Sequence, residues 1–187
     1  MRIVKKKPST IIGRIAGQYA KPRSNEFIFV NGKKTHNYKG DNVNSTSEDE
    51  REPSFHRLTQ GYYNSVITYN FIQNMFSELY TSHEGLIIPY EASFTKKINN
   101  LHYCLSAHML WIGERTRQLD GAHVEFFRGI ENPIGVKISS KIEENDFCEL
   151  IRTLNPQNDK GKLLVIIRMG KDEIEKKLES LIKEKRR

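Results

Sequence analysis

Cys104 and His108 stand four residues apart, a spacing that on a helix would bring a thiolate and an imidazole within reach of one metal ion. A tetrahedral structural site needs four ligands, and neither Cys148 nor His102 nor His123 supplies a second close pair. The expectation is therefore a buried thiol beside a hydrogen-bonded histidine, with no metal and no cofactor. Glu143-Glu144-Asn145-Asp146 and Glu48-Asp49-Glu50 crowd carboxylates. They sit side by side on polar stretches, whereas catalytic carboxylates converge from separate elements, so they read as solvated faces. Asp159-Lys160-Gly161-Lys162 lacks the leading glycine of a phosphate-cradling loop, and no Gly-x-Ser-x-Gly, Gly-x-Gly-x-x-Gly or His-Glu-x-x-His occurs. What remains is Arg117 and His123, flanking Gln-Leu-Asp-Gly-Ala, whose default role is to place cations at the end of a helix.

The Arg117-x5-His123 spacing resembles the Arg-x4-6-His element of HEPN-type ribonucleases. The resemblance implies a basic pair acting on an RNA 2′-hydroxyl and phosphate. It departs from that family in context, because the residues after His123 read as strand where the family continues in helix.

Charge distribution carries more information than any motif. The chain has 187 residues, with 30 Lys and Arg against 23 Asp and Glu, a formal +7. Residues 1–40 hold ten bases against the single acid Glu26, residues 41–52 hold five acids against Arg51, and residues 53–170 balance. Basic ends around a neutral, hydrophobic middle are expected when a compact body carries arms that meet a polyanion or an acidic partner surface. The contact residues so indicated are Lys5, Lys6, Lys7, Arg14, Tyr19, Lys21, Arg23, Lys33, Lys34, Tyr38 and Lys39, with Lys185, Arg186 and Arg187 at the other end. Tyr19 and Tyr38 stand out because they lie among cations with little apolar company. Tyr62, Tyr63, Tyr69, Phe71 and Tyr80 would also make a stacking platform for bases, but at helical spacing they read as core.

The elements that must position these residues follow from periodicity. Residues 1–40 read as an extended basic arm, with Phe27–Val30 and Lys33–His36 forming a β-hairpin about Asn31-Gly32, a pair suited to the positive φ angles of a type I′ turn. Residues 41–54 read as an acidic polar loop, and 55–187 as the globular body. Leu58, Tyr62, Val66, Tyr69, Ile72, Phe76 and Leu79 follow helical spacing. Ser93 would cap a second helix carrying Phe94, Ile98, Leu101, Leu105, Met109 and Ile112, packed antiparallel on the first. Val124 and Phe126, then Ile134, Val136 and Ile138, alternate as an antiparallel β-hairpin. Residues 147–154 fit helix or strand equally, Leu163–Ile167 reads as a buried strand, and a terminal helix opens at Asp172. The fold class expected is α+β.

These readings predict a non-enzymatic structural component of a large assembly, with a phage or mobile-element virion protein as the preferred instance. The basic arm would bind neighbouring protein subunits, or DNA or RNA. The alternatives are a dedicated nucleic-acid-binding protein and a small ribonuclease using Arg117 and His123. Two cysteines and no apolar run near about 20 residues argue for a cytoplasmic or virion location, not secreted and not in a membrane.

Overall fold

The computed structural model describes residues 11–14, 20–76 and 78–185. Its centre is a five-stranded sheet: β1 (Ile11–Arg14), β4 (Leu79–Glu84), β7 (Met109–Ile112), β8 (Ile134–Ile138) and β9 (Leu163–Ile167). The strands lie side by side in that order, and every neighbouring pair is parallel. Parallel neighbours need a crossover, and each is a helix: α1 (Phe55–Met75), α2 (Ile88–Phe94), α3 (Ala122–Arg128) and α4 (Glu144–Leu154), with α5 (Lys171–Lys185) following the last strand. Two small antiparallel ribbons interrupt this pattern: β2 (Phe27–Val30) with β3 (Lys33–His36), and β5 (Thr95–Ile98) with β6 (Leu101–Cys104). Because each new strand adds on the same side as the last, the sheet has no switch point. It is wound as a barrel is wound and forms an open half-barrel.

Register divides the sheet into two faces. Leu110, Ile112, Ile134, Val136 and Ile138 bury together against Val124 and Phe127 of α3, Leu150 and Leu154 of α4 and Leu181 of α5. Trp111, Gly135 and Lys137 occupy the alternate positions and face the inside of the curve. A Cβ on Gly135 would stand 2.7 Å from Cβ of Trp111 and 3.1 Å from Cδ1 of Ile166, so a side chain there would crowd both neighbouring strands.

Several expectations need correction. The second long helix does not exist: Phe94 ends α2, and Ile98 and Leu101 flank a turn in which Asn99 and Asn100 have φ of 51° and 66°. Two consecutive left-handed residues cannot continue a helix, and they close the β5–β6 hairpin instead. Met109 and Ile112, read as later turns of that helix, lie in β7. Val124 to Phe127 is helical, since a four-residue alternation is too short to exclude a helix that buries Val124 and Phe127 three apart. β8 pairs in parallel with β7 and β9 and not in a hairpin. The α+β arrangement of two antiparallel helices with a small antiparallel sheet is thus replaced by a parallel α/β one. Residues 147–154 are helical within α4, and the Asn31-Gly32 turn forms with both residues at positive φ. No helix among the described residues is long and apolar enough to cross a membrane.

His108 ties α1, β4 and β7 together. Its Nδ1 accepts from the Thr81 backbone N–H at 3.0 Å, and Gln73 stands 3.1 Å from its Nε2. Burial holds its pKa below the ordinary value of 6.5. The unfolded chain therefore takes up a proton that the folded chain refuses, so this contribution is complete above about pH 6.5 and is lost as pH falls through the depressed value. Urea midpoints compared at neutral and mildly acidic pH should fall with acidity, and His108→Gln should flatten that slope.

Candidate active site

In parallel α/β folds the loops leaving the carboxyl ends of the strands converge, and ligands bind there. Here those ends carry charge. Glu84 closes β4, Glu114, Arg115 and Arg117 follow β7, Lys137 lies near the end of β8 with Ser139 just after it, and Arg168 follows β9. Lys137 Nζ donates to Glu84 Oε2 at 2.8 Å, with only 23% and 11% of the two side chains exposed. Trp111 Nε1 donates to the same oxygen at 3.2 Å, and Lys137 Nζ lies 4.9 Å from the indole centroid. The amino group is thus held between a carboxylate and a π face, an arrangement that fixes its orientation. A Cβ on Gly113 would collide with Glu84 Oε1, so a larger residue there would displace the carboxylate.

A second group adjoins the first. Glu114 Oε1 accepts from Arg117 Nε at 3.2 Å, from Arg117 Nη2 at 3.0 Å and from Ser139 Oγ at 2.8 Å. Glu114 Oε2 is buried without a hydrogen-bond partner among the described residues. Arg115 reaches the other way, donating from Nη1 to Pro22 O at 2.7 Å and from Nη2 to Ser24 Oγ at 2.9 Å. Arg168 is anchored through its backbone N–H to Ile138 O at 2.8 Å. Four cations and two carboxylates at one end of a sheet make a place for an anion with more than one acidic group.

Of the residues expected to form an external basic clasp, Arg23, Lys34, Tyr38 and Lys39 make side-chain contacts within the chain. Lys21 N–H donates to Lys39 O at 2.6 Å, Arg23 Nε to Tyr38 O at 2.7 Å, and Tyr38 Oη to Asp41 at 2.6 Å. Lys39 pairs with Glu26 at 3.7 Å, Lys34 lies over the Phe27 ring at 4.4 Å, and Lys33 begins β3. Fully buried Asn44 organises this segment by accepting from Lys39 N–H and donating to Asn37 O and Arg51 O. Through Arg115 the segment becomes a wall of the charged site. Arg14 lies in β1 and Lys185 ends α5, while Lys5, Lys6, Lys7, Tyr19, Arg186 and Arg187 lie outside the described residues.

The other candidates separate. Arg117 serves Glu114, while His123 contacts Leu86 O through Nε2 at 2.8 Å, so the pair shares no target. Cys104 ends β6 and not a helix turn. Its thiol contacts Ser106 and Glu91, and burial, then the Glu91 charge, push its pKa up to about 11. Glu91 also pairs with His83 at 2.7 Å and accepts from Ser106 at 2.6 Å in a fully interior network. Among the described residues no three His, Cys, Asp or Glu side chains are placed to hold a metal.

Sequence reasoning missed Glu84, Glu114, Lys137 and Arg168 because no fixed spacing links them. A usable signal exists: the apolar runs Met109–Ile112, Ile134–Val136 and Leu163–Ile167 each stop at or near a charged residue, the pattern of strands that end at a site.

Fold and site define a parallel α/β protein of barrel winding with a polar, anion-suited centre at its strand ends. Comparison gives the family. Residues 1–78 and 74–187 match the class-II DAHP synthetase family. The chain is 35% identical over 238 residues to the phospho-2-dehydro-3-deoxyheptonate aldolase of Neurospora crassa, across 90% of this chain and 50% of that protein. It is 32% identical over 232 residues to the protein of that name from Streptomyces coelicolor, across 94% of the chain and 52% of the relative. A probable chloroplastic phospho-2-dehydro-3-deoxyheptonate aldolase of Catharanthus roseus is 52% identical over 109 residues, 57% of this chain and 22% of that one. The chain belongs to the class-II DAHP synthetase family, and it spans about half the length of its fungal and bacterial relatives. Membership in a family of enzymes overturns the expectation of a non-enzymatic virion component, and with it the nucleic-acid-binding and ribonuclease alternatives.

Proposed function

We propose that this chain carries an anion-binding part of a phospho-2-dehydro-3-deoxyheptonate aldolase site, at the strand ends where Glu84, Trp111 and Lys137 meet Glu114, Arg117 and Ser139. The compound named in the relatives has a carboxylate, a neighbouring ketone, a methylene and a phosphate ester. An aldolase makes or breaks the bond between the methylene and the hydroxyl-bearing carbon beyond it, and negative charge then develops on the ketone oxygen. Lys137, oriented by Glu84, is suited to neutralise that oxygen or the adjacent carboxylate, and Arg115, Arg117 and Arg168 are suited to the remaining anionic group. Glu114 fixes the planar fork of Arg117 and the Ser139 hydroxyl, so the cation is presented in one orientation. The working compartment proposed is a reducing aqueous one, in keeping with free Cys104 and Cys148.

The Glu84–Lys137–Trp111 contact carries this reading and also supplies its test. Trp111 is the single tryptophan of the chain, so titration with phospho-2-dehydro-3-deoxyheptonate should change its fluorescence saturably. A signal that stays flat to millimolar ligand, or is equally reproduced by inorganic sulfate, would remove the proposal.

A further inference from the structure

The two stretches that match the family meet at residues 74–78, where α1 ends and β4 begins. The fungal alignment runs over 238 positions, but the whole chain has 187 residues, so at least 51 positions, the difference of the two, belong to the relative alone. The plant alignment of 109 residues already accounts for 57% of the chain, so that portion aligns with few interruptions. The break between the two family matches is what points to the α1–β4 connection as the place of these extra residues. In this chain Phe76 leaves the helix with φ −138° and ψ 98°, and Leu79 already pairs with Ile11. The crossover is complete without the extra segment, because an αβ connection needs only about 2–6 residues.

The surface beside this junction is uncovered. Tyr63, Ile67, Phe71 and Met75 follow one another four apart along α1 and are 56%, 68%, 58% and 62% exposed. Phe76 is 50% exposed, and Tyr80, just past the junction, is 44% exposed. From Thr59 to Phe76 the sequence contains no Lys, Arg, Asp or Glu. The packed side of α1 is a different one: Gly61 and Ser65 are buried, with Ser65 Oγ accepting from Tyr90 Oη at 3.2 Å. A solvent-facing helix normally carries charge on this side, and a large uncharged apolar stripe marks an interface. A segment whose two ends are both fixed at residues 76 and 79 must fold back close to the C-terminal turns of α1, where this stripe is widest.

We infer that the exposed face of α1 is a vacated internal interface, shaped for the segment that the longer relatives carry between α1 and β4 and that this chain lacks. Its occupant is that segment, held by burial of Ile67, Phe71, Met75 and Phe76 and not by charge.

The test uses the full chain and, as probe, a dye-labelled peptide spanning the residues that the Neurospora crassa relative has between the positions matching Phe76 and Leu79. Fluorescence anisotropy should show saturable one-to-one binding that is insensitive to salt. Ile67→Lys and Phe71→Lys should each weaken it at least tenfold while leaving the circular dichroism spectrum and urea midpoint of the chain unchanged, since both side chains are exposed. A peptide that does not bind at millimolar concentration overturns the inference, as does binding that ignores both substitutions. Sedimentation showing a dimer of the chain that Phe71→Lys dissolves also overturns it, by assigning the face to a second copy.

Discussion

Lys137→Ala is expected to lower affinity for the phosphorylated keto acid by at least about 100-fold, or about 2.8 kcal/mol at 1.4 kcal/mol per tenfold. Two effects act in the same direction. A charge-assisted hydrogen bond to the ligand is lost, and Glu84, 11% exposed and paired at 2.8 Å in the parent, is left as an uncompensated carboxylate facing an anion. Because Trp111 donates to the same Glu84 oxygen, the variant should also show altered tryptophan emission before any ligand is added. Lys137→Arg keeps the charge but replaces a compact ammonium with a planar fork, and should recover only part of the loss. Fluorescence titration of the three proteins in parallel decides the matter. Equal affinity in parent and Lys137→Ala would show that the ligand does not meet this ammonium.

Phe127→Ala should cost about 3–5 kcal/mol of unfolding free energy, a large fraction of the stability of a domain this size. The side chain has no solvent exposure and sits in the main cluster with Leu110, Ile112 and Val124. It also lies against Gly85, whose position could not accept a Cβ without meeting the ring at 2.6 Å. Glycine at 85 and phenylalanine at 127 are thus complementary, and the hole left by truncation is bordered by rigid backbone that cannot collapse into it. The urea midpoint should fall with the denaturant slope unchanged. A loss below about 1 kcal/mol would mean that α3 does not hold β4 and β7 together as described.

What the sequence could reveal depended on the range of the interaction responsible. The Asn31-Gly32 turn, the α1 periodicity and the β-branched run of β9 are local signals that give a turn, a helix and a strand, though Leu79, read as a last helical turn, opens β4, and β9, read as buried, is only half-buried to exposed. Strand direction is not local: Ile134, Val136 and Ile138 alternate identically whether their neighbour is parallel or antiparallel, and only the burial of helices on one face selects the former. Spacing also misled between Phe94 and Ile112, where apolar residues from a helix end, a hairpin and a strand happened to fall three and four apart. Charge is likewise read only locally from a sequence. The lysines and arginines of residues 20–40 are abundant enough to suggest an external polyanion, and the structure adds contacts a charge count cannot show: Arg23 donates to Tyr38 O and Lys39 pairs with Glu26, in a segment organised by Asn44. The cations at the strand ends are few and come from three separate stretches, after β7, in β8 and after β9, so no windowed sum would find them.

The parallel winding also bears on the order in which the sheet is assembled and lost. β7, β8 and β9 join through short excursions, with Leu110 beside Ile134 and Ile134 beside Leu163, whereas Ile11 must find Leu79 across more than twice as much chain. Each doubling of such a loop adds about 0.6 kcal/mol of closure entropy. The first strand is therefore the last to dock and the first to detach, and hydrogen exchange should proceed from that margin toward the ladder formed by the final three strands.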